Sequence, residues 1–272
     1  MRYHAAPIVL GLLATLAQPA PAQELWPGFH PSSFRFDIEK PLFDAEVSDQ
    51  VGFLSATYRP AVRLRAGKAR VTADMPVAVL TGTEGGNSDV RLGNPYLGVE
   101  IGKEDGLWML QLGGRAPLAD FGDDGDGDGE ALILGMITDW NRWETWVPDA
   151  IPLTGTFLVQ HRTEQGLTVA GRAGVTMAIL TGEDYEDDTE TLANYGLRFG
   201  YEKDRALLGI TLTGRFLLTE DGDDQSHHRI GIDGGYRFGA FMPIVGVAIP
   251  LDDNLLAENL NAVISLGLKA WW

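Results

Sequence analysis

Along most of this chain, apolar and polar residues alternate one by one. In "FLSATYRPAVRLR" (53–65), Leu54, Ala56, Tyr58, Val62 and Leu64 share one face, while Ser55, Thr57, Arg59, Arg63 and Arg65 share the other. In "KARVTADMPVAV" (68–79), Val71, Ala73, Met75, Val77 and Val79 stand opposite Arg70, Thr72 and Asp74. "LTVAGRAGVTMAI" (167–179) sets Leu167, Val169, Ala173, Val175, Met177 and Ile179 against Thr168, Arg172 and Thr176. "RALLGITLTGRFLLT" (205–219) does the same with Leu208, Ile210, Leu212, Phe216 and Leu218 against Thr211, Thr213 and Arg215. Successive side chains of a strand point to opposite faces, so each stretch reads as a strand with one apolar and one polar side.

The connections alternate as well. Short polar turns fall at 66–68, 103–106, 163–166, 202–205 and 237–240; long loops fall at 81–89, 120–130, 182–191, 220–228 and 252–259. Short turns at one end and long loops at the other are the layout of a transmembrane β-barrel of the bacterial outer membrane. The fold class expected is all-β, an antiparallel barrel. Such barrels close on an even count; twelve strands are expected, with fourteen as the alternative. The stretch 130–155 holds either one strand and an irregular Trp-rich segment, or two short strands turning at "DWNR". The final strand, "NAVISLGLKAWW", alternates to its end and places Trp271 and Trp272 where an interfacial aromatic girdle is expected.

The first residues carry a basic Arg2, an apolar run from about Ala5 to Ala17, and "APA" before Gln23. That is the pattern of a secretory signal peptide, too short to span a membrane. The expected organisation is a signal peptide over 1–22, an N-terminal lead-in over 23–50, in which 32–43 reads as either a strand or a plug-like stretch, and the barrel over 51–272. Export to the outer membrane implies outer-membrane lipid, lipopolysaccharide and the barrel-assembly machinery as partners. The chain has no cysteine, so no disulfide holds it together. Its formal charge of −17 argues against binding nucleic acid.

The acids concentrate in the long loops, whereas the polar strand faces carry arginine. Charge on a lipid-facing position costs ~2–4 kcal/mol at the membrane midplane, so these faces point inward. Arg59, Arg63, Arg172, Arg198, Arg215 and Arg229 are the expected lumen cations, with Asp74, Glu100, Glu202 and Asp233 as their sparse acidic company. Rings of arginine favour anions. The expected function is therefore a channel or transporter for small, anionic solutes through an arginine-lined lumen. The alternative is a non-conducting structural or surface-interaction barrel, its arginines paired off inside and its acidic loops attracting divalent cations. No cofactor is expected beyond Ca²⁺ or Mg²⁺ held loosely by those loops. "DGDGDG" matches the first half of a calcium loop, through Asp124, Asp126 and Asp128, but position twelve is Gly135 rather than Glu. A second alternative is a rim hydrolase built from "DDQSHHR" (Asp223, Asp224, Ser226, His227, His228); no nucleophile motif accompanies it, and the expectation is that the protein is not an enzyme.

"RVTADMPVAVLTG" followed by "DVRLGNPYLGVEIG" resembles the outer-membrane transporters grouped with the meta-pathway of phenol degradation. Asn94 stands where that family usually has Asp. The resemblance covers about forty residues and implies passage of small, including aromatic, compounds. It supplies no catalytic residues.

Overall fold

A computed structural model describes residues 32–44, 51–82, 88–102, 107–120, 130–182, 189–219, 226–252 and 260–272. The strands are β1 (Ser33–Phe43), β2 (Ala56–Ala66), β3 (Ala69–Asp74), β4 (Val77–Leu80), β5 (Asp89–Leu92), β6 (Tyr96–Gly102), β7 (Trp108–Arg115), β8 (Ala150–Arg162), β9 (Leu167–Leu180), β10 (Thr189–Lys203), β11 (Ala206–Leu217), β12 (Ser226–Tyr236), β13 (Phe241–Pro250) and β14 (Leu260–Trp271). Each pairs antiparallel with its neighbours, and β1 bonds to both β14 and β2, which closes the ring. Twelve strands make the barrel. The remaining two, β4 and β5, pair with each other, and β4 carries the line of β3 onward against Ala56–Tyr58 of β2.

Those two extra strands exist because the ladder breaks. Pro60, Pro76 and Pro95 stand near one another on adjacent strands, and proline has no N–H to give. Met75 and Pro76 interrupt one strand line; Gly93, Asn94 and Pro95 interrupt the next. Gly93 still donates to Pro76 O at 3.0 Å, but Asn94 N–H turns away from the ladder.

Residues 33–43, expected within the N-terminal lead-in, form β1 instead. Its inner face carries Ser33, Arg35, Asp37 and Glu39, all buried, and its outer face Phe34, Phe36 and Ile38. That alternation has the same period as every other strand of the barrel. A second correction concerns residues 130–138, which fold as helix α1 (Glu130–Thr138), continued by a 3₁₀ turn (Trp140–Thr145). A short apolar run such as "ALILGMI" does not by its pattern separate a buried helix from a buried strand.

The outside is apolar. Leu97, Val99, Ile101, Leu153, Phe157, Val169, Val175, Leu197, Phe199, Ile210, Ile232, Val245, Val247, Leu266 and Leu268 are all exposed, and they alternate with buried residues along their strands. A soluble protein seldom exposes a contiguous apolar patch beyond a few hundred Å²; a belt around the whole barrel is a lipid-facing surface. Ile232 pairs with Ile210 and Val247 within it. Ile232→Arg is expected to destabilise the folded barrel by ~2–4 kcal/mol in denaturant titrations from lipid vesicles. A loss under ~0.5 kcal/mol would place this face away from hydrocarbon. Both described ends, Ser32 and Trp272, lie at the short-turn end of the barrel. Trp272 shares the outer face with Leu268 and is exposed, whereas Trp271 falls on the face of Lys269, where the Arg237 guanidinium stacks 4.5 Å from its ring. The two tryptophans therefore do not share a girdle, because period two sets neighbours on opposite faces.

Candidate functional site

At the long-loop end the inner face of the barrel changes character. Along β3 and β4, Arg70, Thr72 and Asp74 give way to Pro76, Ala78 and Leu80; along β9, Thr176 gives way to Ala178 and Leu180. This apolar collar receives α1, the 3₁₀ turn and Trp146. Ala131, Leu132, Leu134 and Trp146 pack with Ala78, Leu80 and Ala119; Ile137 reaches Leu260 and Val263; Met136 and Trp143 reach Val147, Ala150, Ala178 and Leu180. One segment thus touches strands on opposite walls, so it lies across the mouth of the barrel. Trp146 is fully buried, and its ring occupies space that a Cβ at Gly93 or Gly135 would need.

Asn94 pins the segment in place. Its backbone N–H donates to Thr145 O at 2.5 Å. Its side-chain Nδ2 donates to Glu144 O and Val147 O at 3.3 and 2.7 Å, and its Oδ1 accepts from the backbone N–H groups of Leu118 and Ala119, both at 2.8 Å. Asn94 O accepts from Arg115 Nη1 at 2.8 Å. The side chain is fully buried and uses both ends of its amide. The Gly-Asn-Pro turn is visible in the sequence; what it anchors is not.

Below the collar the interior is charged. Asp37 accepts from Arg35 at 2.5 Å and from Arg59 at 3.0 Å; Asp74 lies 3.9 Å from Arg59 and 2.9 Å from Arg115; Arg115 lies 3.8 Å from Glu144. Arg142, in the 3₁₀ turn, pairs with Asp139 at 2.6 Å and approaches Glu39 at 3.8 Å. Near the short-turn end, Glu100 lies between Arg63 at 2.7 Å and Arg70 at 3.1 Å. Arg198 is bidentate to Asp233. Burial raises the Glu144 carboxyl above the usual carboxylate range, against the pull of the Arg115 guanidinium.

Of the six arginines picked out from the sequence, Arg59, Arg63, Arg198, Arg215 and Arg229 are buried in the barrel interior. The first three have the carboxylate partners just given. Arg215 lies 5.4 Å from the Trp143 ring, and Arg229 follows on β12 next to it, across from Pro250 of β13. Arg172 is half-buried and lines a polar cavity of about 60 Å³, room for a few waters, with Gln111, Arg115, Thr154, Thr156, Thr176 and Asn194 of β7–β10, Asp74 of β3, and Arg142 and Glu144 of the infolded segment. Counted over the described residues, eight buried cations face six buried carboxylates. The carboxylates missed from the sequence are Asp37 and Glu39, on the strand expected as lead-in, and Asp139 and Glu144, on the infolded segment.

The calcium-loop residues Asp124, Asp126 and Asp128 lie outside the described residues, as do Asp223 and Asp224. Of the rim cluster, His227 and His228 part company: His227 pairs with Arg215 in the β11–β12 register and shares the inner face of Arg229, whereas His228 is on the outer face beside Asp252.

No protein-family model matches the chain, and no curated protein sequence matches it. Solved structures do. An outer-membrane channel from Pseudomonas putida F1 superimposes with a TM-score of 0.61 at 8% identity, over 92% of this chain and 98% of that one. The translocator domain of the autotransporter NalP from Neisseria meningitidis gives 0.56 at 9%, over 98% and 96%. The NanC porin gives 0.52 at 10%, over 89% and 100%. At such identities the likeness is one of fold, and the fold is that of the bacterial outer-membrane β-barrels.

Proposed function

We propose that this protein is an outer-membrane channel for small anionic molecules, with the segment 130–146 restricting its outer mouth. The observation that supports this reading is the cavity beneath that segment, where three arginines, Arg115, Arg142 and Arg172, outnumber the carboxylates Asp74 and Glu144 and Arg172 stands with threonine, glutamine and asparagine side chains. Neutral hydrogen-bonding groups around a guanidinium suit a small anion better than an apolar ring. Tyr96 supplies the one ring in the cavity lining among the described residues, which favours the anionic solute over the aromatic one. Export by the first 22 residues, insertion by the barrel-assembly machinery, and contact of the acidic loops with lipopolysaccharide through divalent cations belong to the same proposal.

The test is conductance of the refolded chain in a planar bilayer, with reversal potential under a salt gradient. Small anion-selective openings are expected, and Arg172→Ser is expected to move the selectivity toward neutrality. The second reading, a non-conducting barrel, is favoured by the collar and by the paired interior charges. A folded, heat-modifiable barrel that stays silent, even after the segment is released, would establish that reading and end the channel proposal.

A further inference from the structure

Among the described residues, the outer face carries a polar constellation that neither the lumen nor the lipid belt explains. Up the lipid-facing side of β10–β13 the residues are apolar: Leu197, Ile210, Leu212, Ile230, Ile232 and Val247. Above Ile230, at the long-loop end, the same face of β12 carries His228 and then Ser226. His228 Nδ1 lies 3.1 Å from Asp252 Oδ2 and 3.2 Å from Oδ1, and the His228 backbone N–H donates to the same carboxylate. The Tyr195 and Phe216 rings stand 5.9 and 5.5 Å from the imidazole. Gly214 makes this packing feasible: it sits between Tyr195 and His228 in register, and a Cβ there would run into both rings. The imidazole is thus fixed by two rings and a carboxylate. A carboxylate at Nδ1 selects the tautomer with the proton there and leaves Nε2 as the basic nitrogen.

Ser226 is two residues before His228 on the same outward face and pairs with Phe216 across the strands. Two residues along a strand span about 6.8 Å with parallel side chains, which puts a hydroxyl and an oriented imidazole in one lipid-facing patch. The patch lies just above the apolar belt, beside the Tyr195 and Phe216 rings. Aromatic residues mark the membrane interface, and the ester bonds of membrane lipids lie at that depth.

We propose that Ser226, His228 and Asp252 form a hydrolytic site for acyl esters of outer-leaflet lipids. Ser226 Oγ adds to the ester carbonyl carbon while its proton passes to His228 Nε2. The ester C–O bond then breaks, and the departing alcohol takes that proton. Water repeats the sequence on the acyl-serine: it gives a proton to Nε2, its oxygen bonds to the acyl carbon, and the Ser226 Oγ leaves with the proton as free fatty acid is released. Asp252 holds the imidazole and stabilises its charged form. The site is independent of whether the barrel conducts.

The experiment incubates refolded full-length protein with mixed micelles of dipalmitoyl phosphatidylethanolamine and, in parallel, of lipopolysaccharide, and measures released fatty acid. Release from at least one substrate is expected. It should fall by about 100-fold or more in Ser226→Ala and His228→Gln, fall less in Asp252→Asn, and stay at the wild-type rate in His227→Ala. A fluorophosphonate probe should label Ser226, read by peptide mass spectrometry, and should fail to label the His228→Gln protein. Heat-modifiable gel mobility checks that each variant is folded. No release from either substrate by folded wild-type protein, or release undiminished in Ser226→Ala, overturns the proposal.

Discussion

Asn94→Asp frees the segment across the barrel mouth while leaving the barrel itself folded. The wild-type amide gives two hydrogen bonds, to Glu144 O and Val147 O, and accepts two, from Leu118 and Ala119. A carboxylate keeps the two it accepts. It loses both donors and sets its charge against two carbonyl oxygens in a fully buried place. Each unsatisfied buried group costs about 1–3 kcal/mol, so with two of them the hold on the segment weakens by roughly 2–6 kcal/mol. Every ~1.4 kcal/mol is a tenfold shift in population, and the expected result is a rise in released segment of roughly 30-fold or more. The strand pairings involve none of these four bonds. Amide exchange reads this directly at Asp139 and Trp146, whose N–H groups donate to Gly135 O and Trp143 O. Both should exchange faster in the variant, while amides of β9 and β10 keep their protection. Under the channel reading, open probability in a bilayer should rise in step. Unchanged exchange at these two amides would show that the apolar collar alone holds the segment.

How much of this fold is legible in the sequence follows from which signals are local. Period two is local, so the strands, their outward faces and the short and long connections can be read from neighbouring residues alone. The same alternation runs through Ser33, Arg35, Asp37 and Glu39, and taking those residues as a lead-in leaves out two of the interior carboxylates. The infolded segment is harder. Nothing in "EALILGMITDWNRWET" states that it turns inward rather than outward; that follows from Ala78, Leu80, Ala178, Leu180 and Val263, which lie far apart in the chain and become a collar only when the barrel closes. With Asp139 and Glu144 carried inside on that segment, the apparent arginine excess of the lumen shrinks. His228 and Asp252 are separated in the same way: their strands have to pair before the imidazole meets its carboxylate.

The interior charges also set the second large effect, at Glu100. This carboxylate is fully buried and is shared by Arg63 and Arg70. Its strand neighbours offer no substitute, because the inner face of β6 continues to Gly98 and Gly102, which have no side chain. Glu100→Gln keeps the shape and removes the charge, leaving two guanidiniums facing each other across a neutral amide, with Arg63 almost wholly out of water. Removing one partner of a buried pair costs about 3–5 kcal/mol, mostly from the charge left behind. The double variant Arg63→Gln, Glu100→Gln removes one of those stranded charges and should recover more than half of that loss. Equilibrium unfolding by guanidinium from lipid vesicles measures four proteins on one scale, the wild type, Arg63→Gln, Glu100→Gln and the double variant, and the double-mutant cycle isolates the coupling. If the double variant is as unstable as the two single losses added together, the two side chains do not stabilise one another, and the barrel owes its stability at this level to its backbone ladder alone. Recovery in the double variant would mean that the arginines of this lumen are held by their carboxylates. Selectivity would then rest on Arg172, which lines the cavity beside the neutral hydrogen-bonding groups of the β7–β10 wall.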